Sequence, residues 1–402
     1  MSAVQTFRGI RYAKSERFGP SKLVDFAGPN AGGERGPVAP QNPSRLENVN
    51  GPQAPLEQSE DCQVLSVFTR SLTGKRPVMI WFHGGANLTG GGELPWYDGS
   101  SIVAEQDVVV VAVTSRLGVL GYFQADDVDG PTPAMTDQLN AIYWVQQHIN
   151  QFGGDSDNVT LVGQSAGGSS IEIMLRWGVP DGVRGAIMHS GFFQTALPYR
   201  RVEALERARH FEDFVGCDPR TLSVPQLLAK QKEFFAISPD MWMPIRPDSE
   251  CSISIPVVTG WTRHDTFPFL MLQEGHKEPP VNALVERAGD IHRLNLELVI
   301  NEARAVASNI HKGGEDVWLY EFAWDVPSSG WGASHCIDLS SLLGDFEAWS
   351  RAPLLHGVDR EVFESRGRKL RAYWGSFLRD RRPGDDWNPY DGQSDDVGYT
   401  FC

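Results

Sequence analysis

Cysteine is scarce in this chain of 402 residues: five residues, an odd number, stand far apart at positions 62, 217, 251, 336 and 402. This pattern argues against a disulfide framework and indicates mostly free thiols, as in an intracellular protein. The N-terminal residues lack the apolar stretch of a signal peptide, so we expect a cytoplasmic protein. A run of 18 apolar residues is also missing, and we therefore expect no membrane span.

Positively charged residues are also fewer than negatively charged ones. Lysine and arginine total 36 against 51 aspartates and glutamates, which gives a net charge of −15. A nucleic-acid partner needs a basic surface, and no basic stripe occurs along the chain. These numbers argue against nucleic-acid binding, and the acidity bears mainly on solubility.

Apolar runs are short and regularly spaced. PVMIWF (77–82) and VVVVAV (108–113) are uninterrupted, which is typical of strands buried on both faces of a mainly parallel sheet. Similar runs follow at 159–163, 185–189, 255–261 and 317–324. Residues 135–152 and 366–380 carry apolar side chains at helical spacing. The alternation predicts an α/β fold, a mainly parallel central sheet flanked by helices.

Residues 1–402 form a single domain in this interpretation. Two segments, approximately 192–254 and 267–289, lack a clear strand pattern. We expect them to form a helical cap over the ends of the strands. The alternative is that they are peripheral helices with only a packing role.

A glycine-rich motif, VTLVGQSAGG (159–168), predicts a nucleophilic serine. GxSxG alone is a weak signal, but here a strand precedes it and a helix follows. Ser165 would sit in a strained turn, and Gly163, Gly167 and Gly168 would let strand and helix pass close together. A serine hydroxyl becomes a good nucleophile only when a base removes its proton.

The base and the acid should follow Ser165 in the order acid, then histidine. His335 lies in WGASHCIDL, a glycine-containing loop just after a late strand, and is the predicted base. Asp265 comes a few residues after the strand at 255–261 and is the predicted acid, which would orient the imidazole and stabilise its charged form. For the oxyanion, we predict the backbone N–H groups of Gly85, Ala86 and Ala166.

Longer motifs around these residues resemble those of a known family. The resembling stretches are FRGIRYA (7–13), SEDCQVLSV (59–67), PVMIWFHGGANLTGGG (77–92), LPWYDGS (94–100), SRLGVLGYF (115–123), FGGDSDNVTLVGQSAGG (152–168), GASHCIDL (332–339) and YWGSFLRDRRP (373–383). Over nearly its whole length the chain is similar to the type-B carboxylesterases and cholinesterases. The resemblance implies the α/β-hydrolase fold, and it carries over Ser165, His335 and the HGG loop.

Several positions depart from the family pattern. The family usually has glutamate as the triad acid, where this chain has Asp265. Cholinesterases have an acidic residue before the nucleophile, where this chain has Gln164, and the segment 45–58 lacks their tryptophan for a quaternary ammonium. Both changes favour a neutral ester over a choline ester. The usual disulfide partner of Cys62 is absent, and Ala86 replaces a glycine.

Further roles follow from the resemblance. Ser190 matches a serine that often supports the triad, the alternative being plain packing. The chain is shorter than typical members on both sides of Asp265, where the family has cap helices, so we predict a reduced helical cap and a more open pocket. Gln164, Phe192, Phe193 and Trp331 are candidate residues of the substrate pocket.

The leading hypothesis for function is a carboxylesterase-type serine hydrolase that acts on a neutral small-molecule ester through an acyl-enzyme. A second hypothesis keeps the triad but uses it for acyl transfer, cyclisation or elimination in a biosynthetic pathway. A third is a non-catalytic binding module, since the family includes adhesion proteins. No zinc-ligand spacing, phosphate loop or dinucleotide fingerprint stands in its proper context, so we expect no metal and no cofactor. The sequence does not define the natural substrate or the oligomeric state.

Overall fold

The computed structural model describes residues 3–29, 33–126, 129–193, 200–239, 242–248, 251–393 and 397–402. The strands are β1 Gln5–Arg11, β2 Ala13–Lys14, β3 Lys22–Leu23, β4 Val64–Thr69, β5 Arg76–Phe82, β6 Val109–Val113, β7 Gly154–Gln164, β8 Val183–His189, β9 Val257–Thr262, β10 Val317–Phe322 and β11 Tyr399–Phe401. The helices are α1 Glu47–Asn50, α2 Ser100–Gln106, α3 Gly118–Tyr122, α4 Pro133–His148, α5 Ala166–Trp177, α6 Arg201–Val215, α7 Val224–Ile237, α8 Phe267–Gln273, α9 Ala283–Glu286, α10 Ala288–Asn295, α11 Asn301–Lys312, α12 Ile337–Leu342, α13 Phe346–Trp349 and α14 Arg360–Asp380.

Nine strands form the main sheet in the order β1-β4-β6-β5-β7-β8-β9-β10-β11. From β6 to β11 every neighbouring pair is parallel, whereas β4 is antiparallel to both β1 and β6. In the centre, Ile80 of β5 lies opposite Val111 of β6 and Leu161 of β7. The predicted mainly parallel sheet flanked by helices is therefore confirmed.

The sheet is buried on both faces. Along β5, Met79 and Trp81 belong to one hydrophobic cluster, whereas Val78, Ile80 and Phe82 belong to the cluster on the opposite face. Because side chains alternate along a strand, this division shows that helices cover both sides. It explains why the runs at 77–82 and 108–113 are apolar without interruption.

Parallel strands bring their carboxyl ends to one edge of the sheet. The loop after β5 contains Gly85 and Ala86, and those after β7, β9 and β10 contain Ser165, Asp265 and His335 respectively. Ala166, the third predicted oxyanion residue, begins α5. The segments 192–254 and 267–289 contain α6, α7, α8 and α9 in their described parts. No helix among the described residues is both long and apolar enough to cross a bilayer.

Candidate active site

Ser165 lies at a sharp turn between β7 and α5. Its φ of 55° and ψ of −123° are strained for a residue with a side chain. The turn is so tight that a Cβ on Gly163 would lie 2.7 Å from the backbone of Gly167, and a Cβ on Gly167 only 2.1 Å from the carbonyl oxygen of Phe82. The Ser165 N–H donates to the carbonyl of His189 at 2.8 Å, which fixes the turn to β8. The predicted arrangement of strand, serine and helix is therefore present.

The loop after β5 places backbone N–H groups beside this turn. Gly85 has a φ of 117°, and a Cβ there would lie 2.0 Å from the carbonyl oxygen of Thr89, so only glycine fits. Ala86 follows with a φ of 55°. Asn87 anchors the loop: its side chain accepts from Tyr122 and donates to the carbonyl of Trp242, each at 3.0 Å.

Three N–H groups at this place have no acceptor among the residues that the structure describes: those of Gly85, Ala86 and Ala166. Ala166 is the first residue of α5, where helical N–H groups lack partners within the helix and the helix dipole is positive. All three residues line cavities that Ser165 also lines. The arrangement can accept an anionic oxygen.

His335 and Asp265 form a buried pair. The Nδ1 atom of His335 donates to Oδ1 of Asp265 at 2.5 Å, and both side chains are almost fully inaccessible. The other carboxylate oxygen accepts from the Ser190 hydroxyl at 2.6 Å and from the Thr262 N–H at 2.9 Å. The structure thus brings together the predicted base, the predicted acid and the serine that we expected to support them.

His264 fixes the acid loop to the histidine loop, a role that sequence reasoning missed. Its N–H donates to the carbonyl of Ala333 at 2.9 Å, and its ring Nδ1 accepts from the Ala333 N–H at 3.0 Å. The two loops also form an isolated parallel bridge between His264 and Ser334. A Cβ on Gly332 would lie 2.5 Å from the His264 ring, so the glycine before Ala333 leaves space for it. The position of His264 next to Asp265 was the available signal.

Gln164 contacts Nε2 of His335, the ring nitrogen that would accept the proton of the Ser165 hydroxyl. Its amide nitrogen lies 2.9 Å from Nε2 of His335 and 3.4 Å from the sulfur of Cys336. In the neutral ring with its proton on Nδ1, toward Asp265, Nε2 carries the lone pair and accepts from the Gln164 amide. Among the described residues the Ser165 hydroxyl has no hydrogen bond. In this arrangement Gln164, and not Ser165, contacts Nε2 of His335.

The protonation of His335 follows from its neighbours. Burial opposes the charged ring, but Cys336 and the Asp265 carboxylate outweigh it and raise the pKa of His335 well above its ordinary value. A raised pKa means that the base is lost as the pH falls through that pKa. The amide of Gln164 acts in the opposite sense, because a hydrogen bond to the neutral ring favours the neutral form.

Similarity to known proteins agrees with this geometry. Residues 1–285 match the family model described as Carboxylesterase family. The chain belongs to the carboxylesterase family. It is 34% identical to a probable N-octanoylanthranilate hydrolase of Rhodococcus erythropolis, over 95% of this chain and 90% of that protein. It is 28% identical to the para-nitrobenzyl esterase of Bacillus subtilis (strain 168), over 97% of this chain and 89% of that protein.

A solved PNB esterase structure superposes with a TM-score of 0.81 at 26% identity, covering 97% of this chain and 90% of that chain. The fold of this carboxylesterase is therefore the α/β-hydrolase fold, as the motifs predicted. These similarities show that the chain is a carboxylesterase-type hydrolase. Ester substrates follow from that family membership.

Two cavities of the carboxylesterase meet at Ser165. The larger, about 440 Å³, also contacts Gln164, His335 and the loop after β5, and α7 closes it with Gln231 and Phe235. The smaller, about 240 Å³, is more apolar. The residues that define its character are Phe192, Met243, Phe269, Leu270, Leu294 and Leu298. The site can thus hold two unlike halves of one molecule on either side of the serine.

The predicted pocket residues divide into two groups. Gln164 lines the larger cavity, and Phe192 lines the smaller one. Phe193 and Trp331 line neither: both are buried in the hydrophobic core, where Trp331 packs edge-on against Phe267. We predicted both as candidate pocket residues, but these two aromatic side chains face the core. Leu294 and Leu298, which do line the smaller cavity, lie beyond the segment 267–289 that we expected to cap the site.

A second buried histidine supports the sheet beneath the site. His189 lies 2.7 Å from a carboxylate oxygen of Asp338 and 2.8 Å from the Tyr320 hydroxyl, and Trp374 donates to its Nε2 at 3.0 Å. The carbonyl oxygen of His189 accepts the hydrogen bond from the Ser165 N–H. The aspartate of the GASHCIDL motif was the sequence signal for this cluster. It connects β8, β10, α12 and α14 directly behind Ser165.

Proposed function

We propose that the carboxylesterase hydrolyses its ester through an acyl-enzyme on Ser165. The observation that carries the proposal is the convergence of four separate loops, those after β5, β7, β9 and β10. They bring strained Ser165, the buried pair of His335 and Asp265, and unpartnered N–H groups to one cavity junction. A histidine oriented by a carboxylate is the arrangement that activates a serine for acyl transfer.

The reaction begins when Nε2 of His335 takes the proton of the Ser165 hydroxyl as its oxygen attacks the carbonyl carbon. Gln164 has to release Nε2 for this step, because the lone pair accepts one proton. The N–H groups of Gly85, Ala86 and Ala166 stabilise the oxyanion. Protonated His335 then donates its proton to the departing alcohol oxygen, and Asp265 stabilises the charged ring meanwhile.

Deacylation repeats these steps with water as the nucleophile. The relatives are named as hydrolases and esterases, which favours water over a second alcohol as the acceptor. The smaller, apolar cavity suits the acyl chain, because its lining offers aliphatic and aromatic contacts. One relative is named for an octanoyl group on the nitrogen of an aminobenzoate. We therefore propose a straight acyl chain of medium length, and we include N-octanoylanthranilate among the compounds to test.

The test uses a fluorophosphonate probe and a series of p-nitrophenyl esters from acetate to dodecanoate. We expect the probe to label Ser165 and the rate to peak at a medium chain. Ser165→Ala should abolish both labelling and hydrolysis, whereas Ser350→Ala, which changes an exposed serine, should leave both intact. Failure of the probe to label the folded protein would instead support a non-catalytic binding role. A product ester formed in the presence of an added alcohol would support acyl transfer.

A further inference from the structure

The cavities around Ser165 differ in charge from the rest of the molecule. The chain carries a net charge of −15, yet no aspartate or glutamate lines either cavity within the described residues. Two cations do: Arg45 lines both cavities, and Lys232 lines the larger one. At the position before the nucleophile, Gln164 adds no negative charge. The site is therefore a positive region on an acidic protein, and such a region attracts anions.

Arg45 lies in the loop before α1 and has no counter-charge. Its guanidinium lies 6.0 Å from the ring of Phe235 on α7, but it forms no ion pair or hydrogen bond with any described residue. Its side chain keeps an exposed surface at the cavity rim, while packing around it lowers the pKa of the guanidinium. Arginine nevertheless stays charged at neutral pH. By contrast, Arg371 and Arg116 pair with Glu105 and Asp137.

Lys232 provides a second positive charge at the larger cavity. It is exposed on α7 and forms no ion pair among the described residues, whereas Lys230 on the same helix pairs with Glu233 at 2.8 Å. Both cations thus line the larger cavity, whereas Arg45 is the one charged residue among the described residues that line the smaller, more apolar cavity. The two halves of the site differ in charge as well as in size.

We propose that the substrate carries a carboxylate on its alcohol half, which lies in the larger cavity with the carboxylate against Arg45. This inference rests on the proposed function, and it revises the expectation of a wholly neutral ester. The planar fork of a guanidinium matches a carboxylate with two parallel hydrogen bonds. Lys232 strengthens the attraction as a second point charge. An ester with a cationic alcohol would be repelled by both groups.

The experiment compares two substrates that differ in charge but hardly in shape: 3-(octanoyloxy)benzoate and 3-(octanoyloxy)benzamide. For the natural chain we expect kcat/KM to be about tenfold higher for the benzoate, mostly through KM, since a charged hydrogen bond at a partly exposed site contributes roughly that factor. Arg45→Gln should remove most of this preference, and Arg45→Lys should keep part of it. Arg209→Gln, which changes an exposed arginine outside both cavities, should leave the ratio as it was.

Salt provides an independent measurement. The preference should fall as NaCl rises from roughly 50 mM to roughly 500 mM, because salt screens exposed charges. Equal kcat/KM for the two esters, or an unchanged ratio in Arg45→Gln, would overturn the inference. In that case hydrolysis of the benzamide ester and labelling of Ser165 would show that the proposed function still stands. Loss of labelling and of hydrolysis of both esters would instead mean that the proposed function itself is wrong.

Discussion

The contact between Gln164 and His335 makes a prediction about the pH dependence of the enzyme. Gln164→Glu replaces an amide, which favours the neutral ring, with a carboxylate, which favours the charged ring. Since the neutral ring is the base, we expect the acid limb of the kcat/KM profile to move to higher pH. The variant should fold, because the family has an acidic residue at this position.

The size of the shift follows from the distance. Two unit charges about 3 Å apart, close to the separation of the Gln164 amide nitrogen and Nε2, attract by roughly 5 to 6 kcal/mol at an effective dielectric of about 20, which is an upper limit here. One pKa unit corresponds to about 1.4 kcal/mol. Because Asp265 already stabilises the charged ring and solvent reaches the larger cavity, we expect a smaller effect, a displacement of the acid limb by about one to two pH units.

The assay measures kcat/KM for p-nitrophenyl butyrate between about pH 5 and about pH 10, since this parameter reports the pKa of the free enzyme. Gln164→Met is the matched control, because it keeps the length of the side chain and adds no charge. Its acid limb should move by less than half of the shift seen with glutamate. An acid limb that stays in place or moves to lower pH in Gln164→Glu would show that Gln164 does not contact the base in the working enzyme.

Three further changes test the site and its support. Asp265→Asn should lower kcat by about 10³–10⁴ with little effect on KM, because the amide favours the wrong tautomer of His335. Steady-state kinetics would measure the change in kcat, and a loss under tenfold would contradict the triad. Asp137→Ala leaves a buried arginine unpaired and should cost about 3–5 kcal/mol in urea unfolding, whereas a cost below 1 kcal/mol would mean that the pair is solvated. Gly167→Ala places a Cβ 2.1 Å from the Phe82 oxygen and should yield little folded, probe-reactive protein. The control Gly289→Ala has open space around its new Cβ and should be tolerated, and normal labelling of Gly167→Ala would contradict the tight turn.

The sequence predicted the sheet and the order of the loops because both depend on local patterns. Uninterrupted apolar runs specify strands buried on two faces, and parallel strands bring the loops after them to one edge. The residues that follow those strands, Ser165, Asp265 and His335, therefore come together without any knowledge of side-chain packing. The requirement for glycine at position 167 could also be predicted from the motif, since only a residue without a Cβ lets α5 pass so close to β5.

What the sequence did not predict depends on where side chains point. Phe193 directly follows Phe192 in the chain, yet this change of one position turns the side chain from the cavity to the core. Trp331 lies four positions before His335 and is likewise buried in the core. Arg45 belongs to a loop without periodicity, and its place at the cavity rim depends on contact with α7, about 190 residues later in the chain. Such long-range contacts leave no pattern that a single sequence displays.

The residues Gln164 and Arg45 act on the charge of the site in the same direction. A carboxylate next to Ser165 would repel a substrate that carries its own carboxylate, and it would also hold His335 in the charged form that cannot act as a base. The amide at position 164 avoids both effects, while Arg45 adds attraction in the same cavity. Gln164→Glu should therefore lower the preference for 3-(octanoyloxy)benzoate even at a pH where the base is fully neutral. A pH shift without a loss of this preference would mean that the two residues act on different parts of the reaction.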